Sequence, residues 1–217
     1  LERQRGELAK TLLASLSHDL KTPLTVIRMA IENLRADLPT DARRAQADAA
    51  ATELSRLTRL FEDILDMARI DAAAIPLQHE WVTPADVVDA ALAHVRHAVD
   101  GHAIRVDADA DRAVKIDARL ASVALSHLVE NAARYSPKDR DIVVEARAAE
   151  EGIVVTVADH GPGLDPVEID HLFERFYRGR GAHPAAPGTG MGPATTRGLL
   201  NATGGRVWAE NAAGGGA

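Results

Sequence analysis

Residues 15–24 read Ser-Leu-Ser-His-Asp-Leu-Lys-Thr-Pro-Leu, and the pattern around this stretch predicts a long helix. Leucine and isoleucine recur at steps of three and four between positions 12 and 38, so they share one apolar face. His18 lies off that face, and its neighbours one and two turns away are small, polar or charged. A histidine in this position is either an ordinary surface residue or a group presented to another domain.

Two neighbours set His18 apart from an ordinary surface histidine. Asp19 provides a carboxylate that can fix the tautomer of the ring and raise the nucleophilicity of its other nitrogen. Pro23 removes a backbone donor and clashes with the carbonyl of Asp19. We therefore expect the helix to bend beside the histidine.

The first 71 residues have the pattern of a helical hairpin. A helix is predicted over residues 3–37, Pro39 breaks it, and a second helix over 42–70 carries a heptad stripe. One hairpin cannot cover two apolar stripes, so we expect two copies to form a homodimeric four-helix bundle. The alternative is a two-helix arm that packs on its own domain.

Residues 72–76 are predicted to be a linker, because periodicity stops there and a proline follows. Short strands and helices alternate over 77–217, which predicts an α+β two-layer sandwich. Within it, a hairpin is predicted from strands at 141–148 and 153–158, and a further strand at 206–209.

Three segments of this second domain are candidates for a nucleotide site. In the first, Asn131, Arg134 and Tyr135 fall on one face of a helix predicted to span residues 119–135. The amide oxygen of Asn131 is a suitable magnesium ligand, and Arg134 is suited to phosphate charge. The same pattern also fits a solvated helix surface.

The second segment joins the end of a strand to a glycine turn. Asp159 is placed to accept a hydrogen bond from an adenine amino group, while Gly161 and Gly163 let the backbone approach the base. The alternative interpretation is a plain turn between two strands.

The third segment contains Gly188, Thr189, Gly190 and Gly192 and leads into a predicted helix. Glycines before a helix N-terminus form an anion cradle from backbone N–H groups. The segment lacks the lysine of a P-loop, and it does not follow a parallel strand, so a P-loop and a Rossmann site are both disfavoured.

The string Ser-His-Asp-Leu-Lys-Thr-Pro-Leu resembles the phosphoacceptor box of the sensor histidine kinases of two-component systems. The three later segments resemble the N box and the two glycine boxes of the ATPase (Bergerat or GHKL) fold shared by these kinases, Hsp90-type chaperones, gyrase and MutL. Residues 172–178 resemble the F box of the kinases. Residues 80–83 and 209–211 resemble the potassium- and turgor-sensing members more narrowly.

The resemblance implies an ATP- and Mg²⁺-dependent kinase that phosphorylates His18 with the assistance of Asp19. It further implies that the phosphoryl group passes to an aspartate of a response regulator. Thr22 would position water when that group is removed again, which implies a phosphatase activity. A lid over about 178–192 would close over the triphosphate.

Three features depart from the family pattern. His127 stands where these kinases carry a second asparagine, Pro193 replaces an aliphatic residue, and the sequence ends before the usual last strand. They leave two alternatives open. One is a catalytically weak dimeric scaffold that binds its regulator, and the other is a chaperone- or gyrase-type ATPase.

Composition limits the possible partners and the possible cellular location of the chain. The chain has 217 residues, a net charge of −7 and no cysteine, which disfavours a nucleic-acid partner and excludes disulfides and thiolate metal sites. No apolar run approaches the roughly 18–20 residues that span a bilayer. We expect the cytoplasmic portion of a membrane-anchored bacterial sensor, attached to the membrane only through an upstream region.

Overall fold

The computed structural model describes residues 20, 23–34, 39–71, 76–96, 98–99, 101–174, 177, 191–212 and 215–217. The chain divides into two compact units after Leu65. The domain limits drawn from the sequence stay predictions. They are a helical hairpin over 1–71, a linker over 72–76 and a second domain over 77–217.

The described residues of the first unit form two helices. Helix α1 covers residues 23–34, and helix α2 covers Thr40–Asp71, most of which belongs to this unit. The predicted helix over 3–37 is thus confirmed where the structure describes it. The side chain of Asn33 donates a 3.4 Å hydrogen bond to the side chain of Gln46, which joins the two helices.

In the second unit, the part of the chain that the structure describes forms two small sheets. The strands are β1 (Glu80–Val82), β2 (Ile104–Ala108), β3 (Val114–Ile116), β4 (Ile142–Ala148) and β5 (Ile153–Ala158). Strand β4 is the centre of the larger sheet, parallel to β2 on one side and antiparallel to β5 on the other, while β1 and β3 form an antiparallel pair. The predicted hairpin of β4 and β5 is confirmed, since Ala148 pairs with Ile153 across its turn.

The described helices of this unit are α3 (Pro84–Val95), α4 (Ala118–Tyr135), the short α5 (Pro166–Ile169) and α6 (Gly192–Ala202). Helices α3 and α4 pack against the larger sheet, and α6 packs on α4. Burial alternates along β4, so Ile142 and Val144 point into a core that α3 and α4 close with Val88 and Val129. The result is the predicted α+β two-layer sandwich. No helix in the described ranges is long and apolar enough to span a bilayer.

Local chemistry sets where the helices begin. Thr83 caps α3, because its hydroxyl accepts the N–H of Asp86 while the Asp86 carboxylate accepts the N–H and the hydroxyl of Thr83. These bonds from the backbone and the side chain of Thr83 hold the pKa of Asp86 below its ordinary value.

Across β2 and β4, the ion pair between Asp107 and Arg147 likewise lowers the pKa of Asp107.

One predicted element does not form. Residues 206–209 alternate between exposed and half-buried positions as strand residues do, yet they pair with no strand in the described part of the chain. A strand exists through its ladder of hydrogen bonds, and alternation of side chains alone does not supply a partner.

Candidate nucleotide-binding site

Helix α4 is the platform of the candidate site. Asp117 begins it, with one carboxylate oxygen accepting the N–H of Leu120 at 3.0 Å and the other accepting that of Gln78 at 2.8 Å. The side chain of Asp117 is buried, so the start of α4 is tied to the segment before β1. This anchor fixes a helix whose exposed face carries the predicted site residues.

Three side chains follow one another along a single face of α4. His127, Asn131 and Tyr135 are spaced by four residues, which places neighbours about 6 Å apart along the helix axis. Arg134 lies beside them and pairs with Glu130 at 3.3 Å. The predicted common face of Asn131, Arg134 and Tyr135 is therefore present, with His127 at its far end.

The first glycine turn packs against the C-terminal end of α4. A Cβ added to Gly161 would lie 3.1 Å from the backbone oxygen of Tyr135, so a side chain at this position would crowd the helix end. The backbone N–H of His160 donates to the hydroxyl of Ser136, the C-cap residue of α4, at 3.2 Å. These contacts bring Asp159 next to Tyr135.

The carboxylate of Asp159 is half engaged. One oxygen, Oδ1, accepts the N–H of Gly161 at 2.7 Å and that of Ala217 at 3.4 Å. The other oxygen has no hydrogen-bond partner among the described residues. A half-buried carboxylate with one oxygen held by backbone and one available is able to accept a hydrogen bond from an amino group.

The start of α6 meets the opposite end of the same face. A Cβ added to Gly192 would lie 3.6 Å from Nδ1 of His127, so the helix N-terminus approaches α4 two turns before Tyr135. Pro193 occupies the first turn of α6 and lacks an N–H, which leaves one backbone donor fewer for an anion. Gly188, Thr189 and Gly190 lie outside the described residues.

Asn131 stands between these two ends. Its amide is half-buried and makes no hydrogen bond to the residues that the structure describes. No group of three or more acidic or histidine side chains gathers in the described ranges, so the chain offers no complete metal cage there. The single amide oxygen of Asn131 fits Mg²⁺, which commonly takes one or two protein oxygens and completes its shell with phosphate and water.

One residue of this region was missed as a site residue by sequence reasoning. Asn211 was noted only within a stretch of family resemblance, but its amide oxygen accepts the N–H of Leu164 at 2.6 Å. Its amide nitrogen donates to the carbonyl of the same residue at 2.8 Å. A partner 47 residues away leaves no local signal in the sequence.

The predicted residues of the helical unit fall outside the part that is described. His18, Asp19 and Thr22 are among them, and the nearest described residues are Leu20 and the buried Pro23. The surface of α1 beyond Pro23 carries Leu24, Ile27, Arg28, Ile31 and Glu32.

Two family models match the chain, one in each part. The His Kinase A (phospho-acceptor) domain matches residues 9–73, and the histidine kinase-, DNA gyrase B- and HSP90-like ATPase matches residues 116–217. Together they cover most of the sequence.

Individual relatives agree with the family models. The sensor protein KdpD of Escherichia coli is 34% identical over 216 residues, which are 99% of this chain and 24% of that protein. The solved structure of ShkA in complex with AMPPNP is 25% identical, with a TM-score of 0.63, over 94% of this chain and 43% of that one. The chain spans about a quarter of the length of the curated relatives that it matches first.

A more distant structure shares the fold. It is the histidine kinase ThkA, solved in complex with the response regulator protein TrrA, with a TM-score of 0.68 and 18% identity over 99% of this chain and 61% of that one. A phosphoacceptor domain and an ATPase domain thus occur in one chain in the order that the sequence predicts. The chain belongs to the sensor histidine kinases of two-component systems.

Proposed function

We propose that this chain is an ATP-dependent protein histidine kinase core that phosphorylates its own His18. The observation that carries the proposal is the single face of α4, which has the Asp159 turn at one end and the start of α6 at the other. An extended nucleotide with a base at one end and phosphates at the other matches this arrangement. Asn131, between the two, would hold Mg²⁺, which neutralises phosphate charge when bound.

In the proposed binding mode, the available oxygen of Asp159 accepts the adenine amino group. Tyr135 would lie beside the base, and the backbone at Gly161 and Gly163 would approach it. Backbone N–H groups of residues 188–192 would surround the terminal phosphates, with Arg134 adding positive charge.

The transfer step is a displacement at the γ-phosphorus of ATP. A ring nitrogen of His18 forms a bond to the γ-phosphorus as the bond to the bridging oxygen breaks and ADP leaves. Asp19 would keep the imidazole in the tautomer that presents an unprotonated nitrogen, and the ring proton is lost to solvent after transfer. Catalysis in this scheme consists mainly of positioning.

A labelling experiment tests the proposal directly. The chain is incubated with γ-labelled ATP and Mg²⁺, and we expect an acid-labile, alkali-stable label that His18→Gln abolishes. His94→Gln is the matched control, because His94 is exposed on α3 and far from the site in sequence, so its variant should label normally. No label on the native chain would contradict the proposal.

The same assay separates the two alternatives. A catalytically weak scaffold would bind nucleotide without acquiring label. A chaperone- or gyrase-type ATPase would release free phosphate at the same rate with or without His18. Pro193, which lacks a phosphate-facing N–H, and His127, in place of an asparagine, are the observations that favour the scaffold.

We further propose that the phosphorylated His18 passes its phosphoryl group to an aspartate of a response regulator receiver domain. The aspartate oxygen would form the new bond to phosphorus as the bond to the imidazole breaks, which restores His18. The relative ThkA, solved with a regulator, supports this class of partner. Thr22 would position water for the reverse, phosphatase reaction, so Thr22→Ala should retain transfer and lose dephosphorylation of a purified phospho-regulator.

We also propose that the chain acts as a homodimer, as the cytoplasmic portion of a longer membrane-anchored bacterial sensor of the potassium- and turgor-sensing kind. The similarity to KdpD supports the narrower assignment. Exposed apolar side chains on α1 and α2 support the dimer. We expect the proposed longer sensor to co-purify with the membrane fraction. Residues 1–217 alone should lose that association.

A further inference from the structure

The residues that hold the Asp159 turn differ at its two ends. At the start, the N–H of His160 is bonded to Ser136 on α4. At the end, the backbone of Leu164 is held by the side chain of Asn211. Within the part of the chain that the structure describes, the N–H and the carbonyl of Leu164 have no other hydrogen-bond partner.

Asn211 acts on this backbone as a neighbouring strand would. Its oxygen accepts from the N–H of Leu164 at 2.6 Å, and its nitrogen donates to the carbonyl at 2.8 Å. Both backbone groups of one residue are thereby satisfied by one side chain, as a pair of ladder bonds does in an antiparallel sheet. The segment after α6 is thus tied to the turn 47 residues before it.

Two properties of Gly163 suit these hydrogen bonds between Asn211 and Leu164. Its φ is +75°, in the left-handed region that favours glycine. A Cβ at Gly163 would also lie 3.1 Å from the amide oxygen of Asn211. The amide of Asn211 therefore approaches the turn closely at Gly163, which is a candidate residue of the nucleotide site.

We propose that Asn211 is a positioning residue for recognition of the nucleotide base, an inference that rests on the proposed ATP-binding function. By fixing the end of the turn, Asn211 keeps Asp159 at the place where its available oxygen meets the adenine amino group. Guanine has a carbonyl oxygen at the corresponding ring position, which the carboxylate repels. A turn released at Leu164 would lose both affinity for adenine nucleotides and discrimination against guanine nucleotides.

The experiment measures binding of ADP and of GDP, each with Mg²⁺, to the full chain by titration calorimetry. Asn211→Leu keeps the side-chain size and removes both hydrogen bonds, while Asn211→Asp keeps an acceptor for the Leu164 N–H and loses the donor. Since each bond contributes modestly, we expect a loss of ADP affinity of about tenfold for Asn211→Leu and a smaller loss for Asn211→Asp. The ADP-to-GDP preference should fall in the same order.

Glu210→Gln is the matched control, because Glu210 is the exposed neighbour and forms no hydrogen bond to the described residues. Its variant should bind both nucleotides as the native chain does. Thermal melting of each variant is recorded alongside. A loss of folded protein lowers the binding capacity for both nucleotides equally, whereas loss of positioning changes their affinity ratio.

The outcomes separate this inference from the proposed function. If the native chain prefers ADP and Asn211→Leu keeps both affinity and preference, Asn211 has no positioning role, although nucleotide binding stands. A lowered melting temperature with an unchanged ratio also contradicts the inference, because it shows a purely structural role. If the native chain binds neither nucleotide, the proposed function itself fails.

Discussion

The helical unit and the second unit bury their apolar side chains to different extents. Large apolar residues of α1 and α2 are about half exposed, namely Leu24, Met29, Ile31, Leu54, Phe61 and Leu65, at 49–59%. In the second unit Val88, Val129, Ile142 and Val144 are fully buried, even though Trp81 and Trp208 stay exposed. The second unit closes a core of its own, whereas the helical surface needs a partner surface to be covered.

The largest expected effect concerns that exposed helical surface. If two copies cover it, Phe61→Ser removes an aromatic ring from each copy, at about 1.5 kcal/mol per ring, so the dimer should weaken by about 100-fold. Sedimentation velocity over a concentration series measures the dissociation constant. Glu62→Gln, at the exposed neighbouring position, should leave it unchanged. A native chain that stays monomeric at high concentration would remove the contrast between the two units.

The next effect tests the closed core of the second unit with one substitution at two sites. Val144→Ala removes two buried methyl groups from β4 and should lower the free energy of unfolding by about 2–3 kcal/mol. Val154→Ala makes the same change on β5, where the side chain is 51% exposed, and should cost less than about 1 kcal/mol. Denaturant titration followed by fluorescence suits both, since the two tryptophans of the chain lie in this unit. Equal losses would argue against the core as described.

A smaller effect of opposite sign is expected in the same unit, on α6. Thr195 and Thr196 on α6 are both fully buried, but the hydroxyl of Thr195 has no hydrogen-bond partner among the described residues. Thr195→Val removes the unsatisfied hydroxyl without changing the shape of the side chain, and should raise the free energy of unfolding by about 1 kcal/mol.

Thr196→Val is the matched control for that change. Its hydroxyl donates to the carbonyl of Ala124 at 3.3 Å, so the valine variant should lose up to about 1 kcal/mol. The same denaturant titration compares the two. Should both variants shift stability in the same direction, the hydrogen-bond assignment of one of the two hydroxyls is wrong.

The smallest effect is a pH dependence at the start of α3. The pKa of Asp86 is lowered in the folded chain by its bonds to Thr83, so its stabilising contribution is present above the unfolded-state pKa and is lost as pH falls. Between about pH 5 and pH 3, melting temperature should therefore fall more for the native chain than for Asp86→Asn. Asp89→Asn, on the same helix, should follow the native curve. Parallel curves for the native chain and Asp86→Asn would show that this capping bond contributes nothing.

Much of the candidate site could be anticipated from short stretches. The spacing of Asn131, Arg134 and Tyr135 specifies a common helix face without knowledge of any other element. The cap of α4 is equally local, because the carboxylate of Asp117 satisfies a free N–H group of the first turn that follows it. The order of Asp159 and its glycines likewise indicated a turn after a strand.

Other features depend on which distant segments meet. Nothing in the sequence around Thr195 predicts a buried hydroxyl without a partner, which follows only from the packing of α6 on α4. The strand expected at 206–209 has the right alternation and no partner strand. Asn211 carries no mark of its own in the sequence, and its role appears only beside Leu164.

The sequence by itself determined the two kinds of region, the helical periodicity, the caps and the motifs that indicate a phosphoacceptor and a nucleotide site. These depend on residues within a few positions of one another, whose spacing is the same in any context. Only the tertiary structure decided that α4 has the Asp159 turn at one end and the start of α6 at the other, and that an asparagine 47 residues away holds the turn. Such contacts arise because packing of the whole unit brings distant backbone and side-chain groups within hydrogen-bond range.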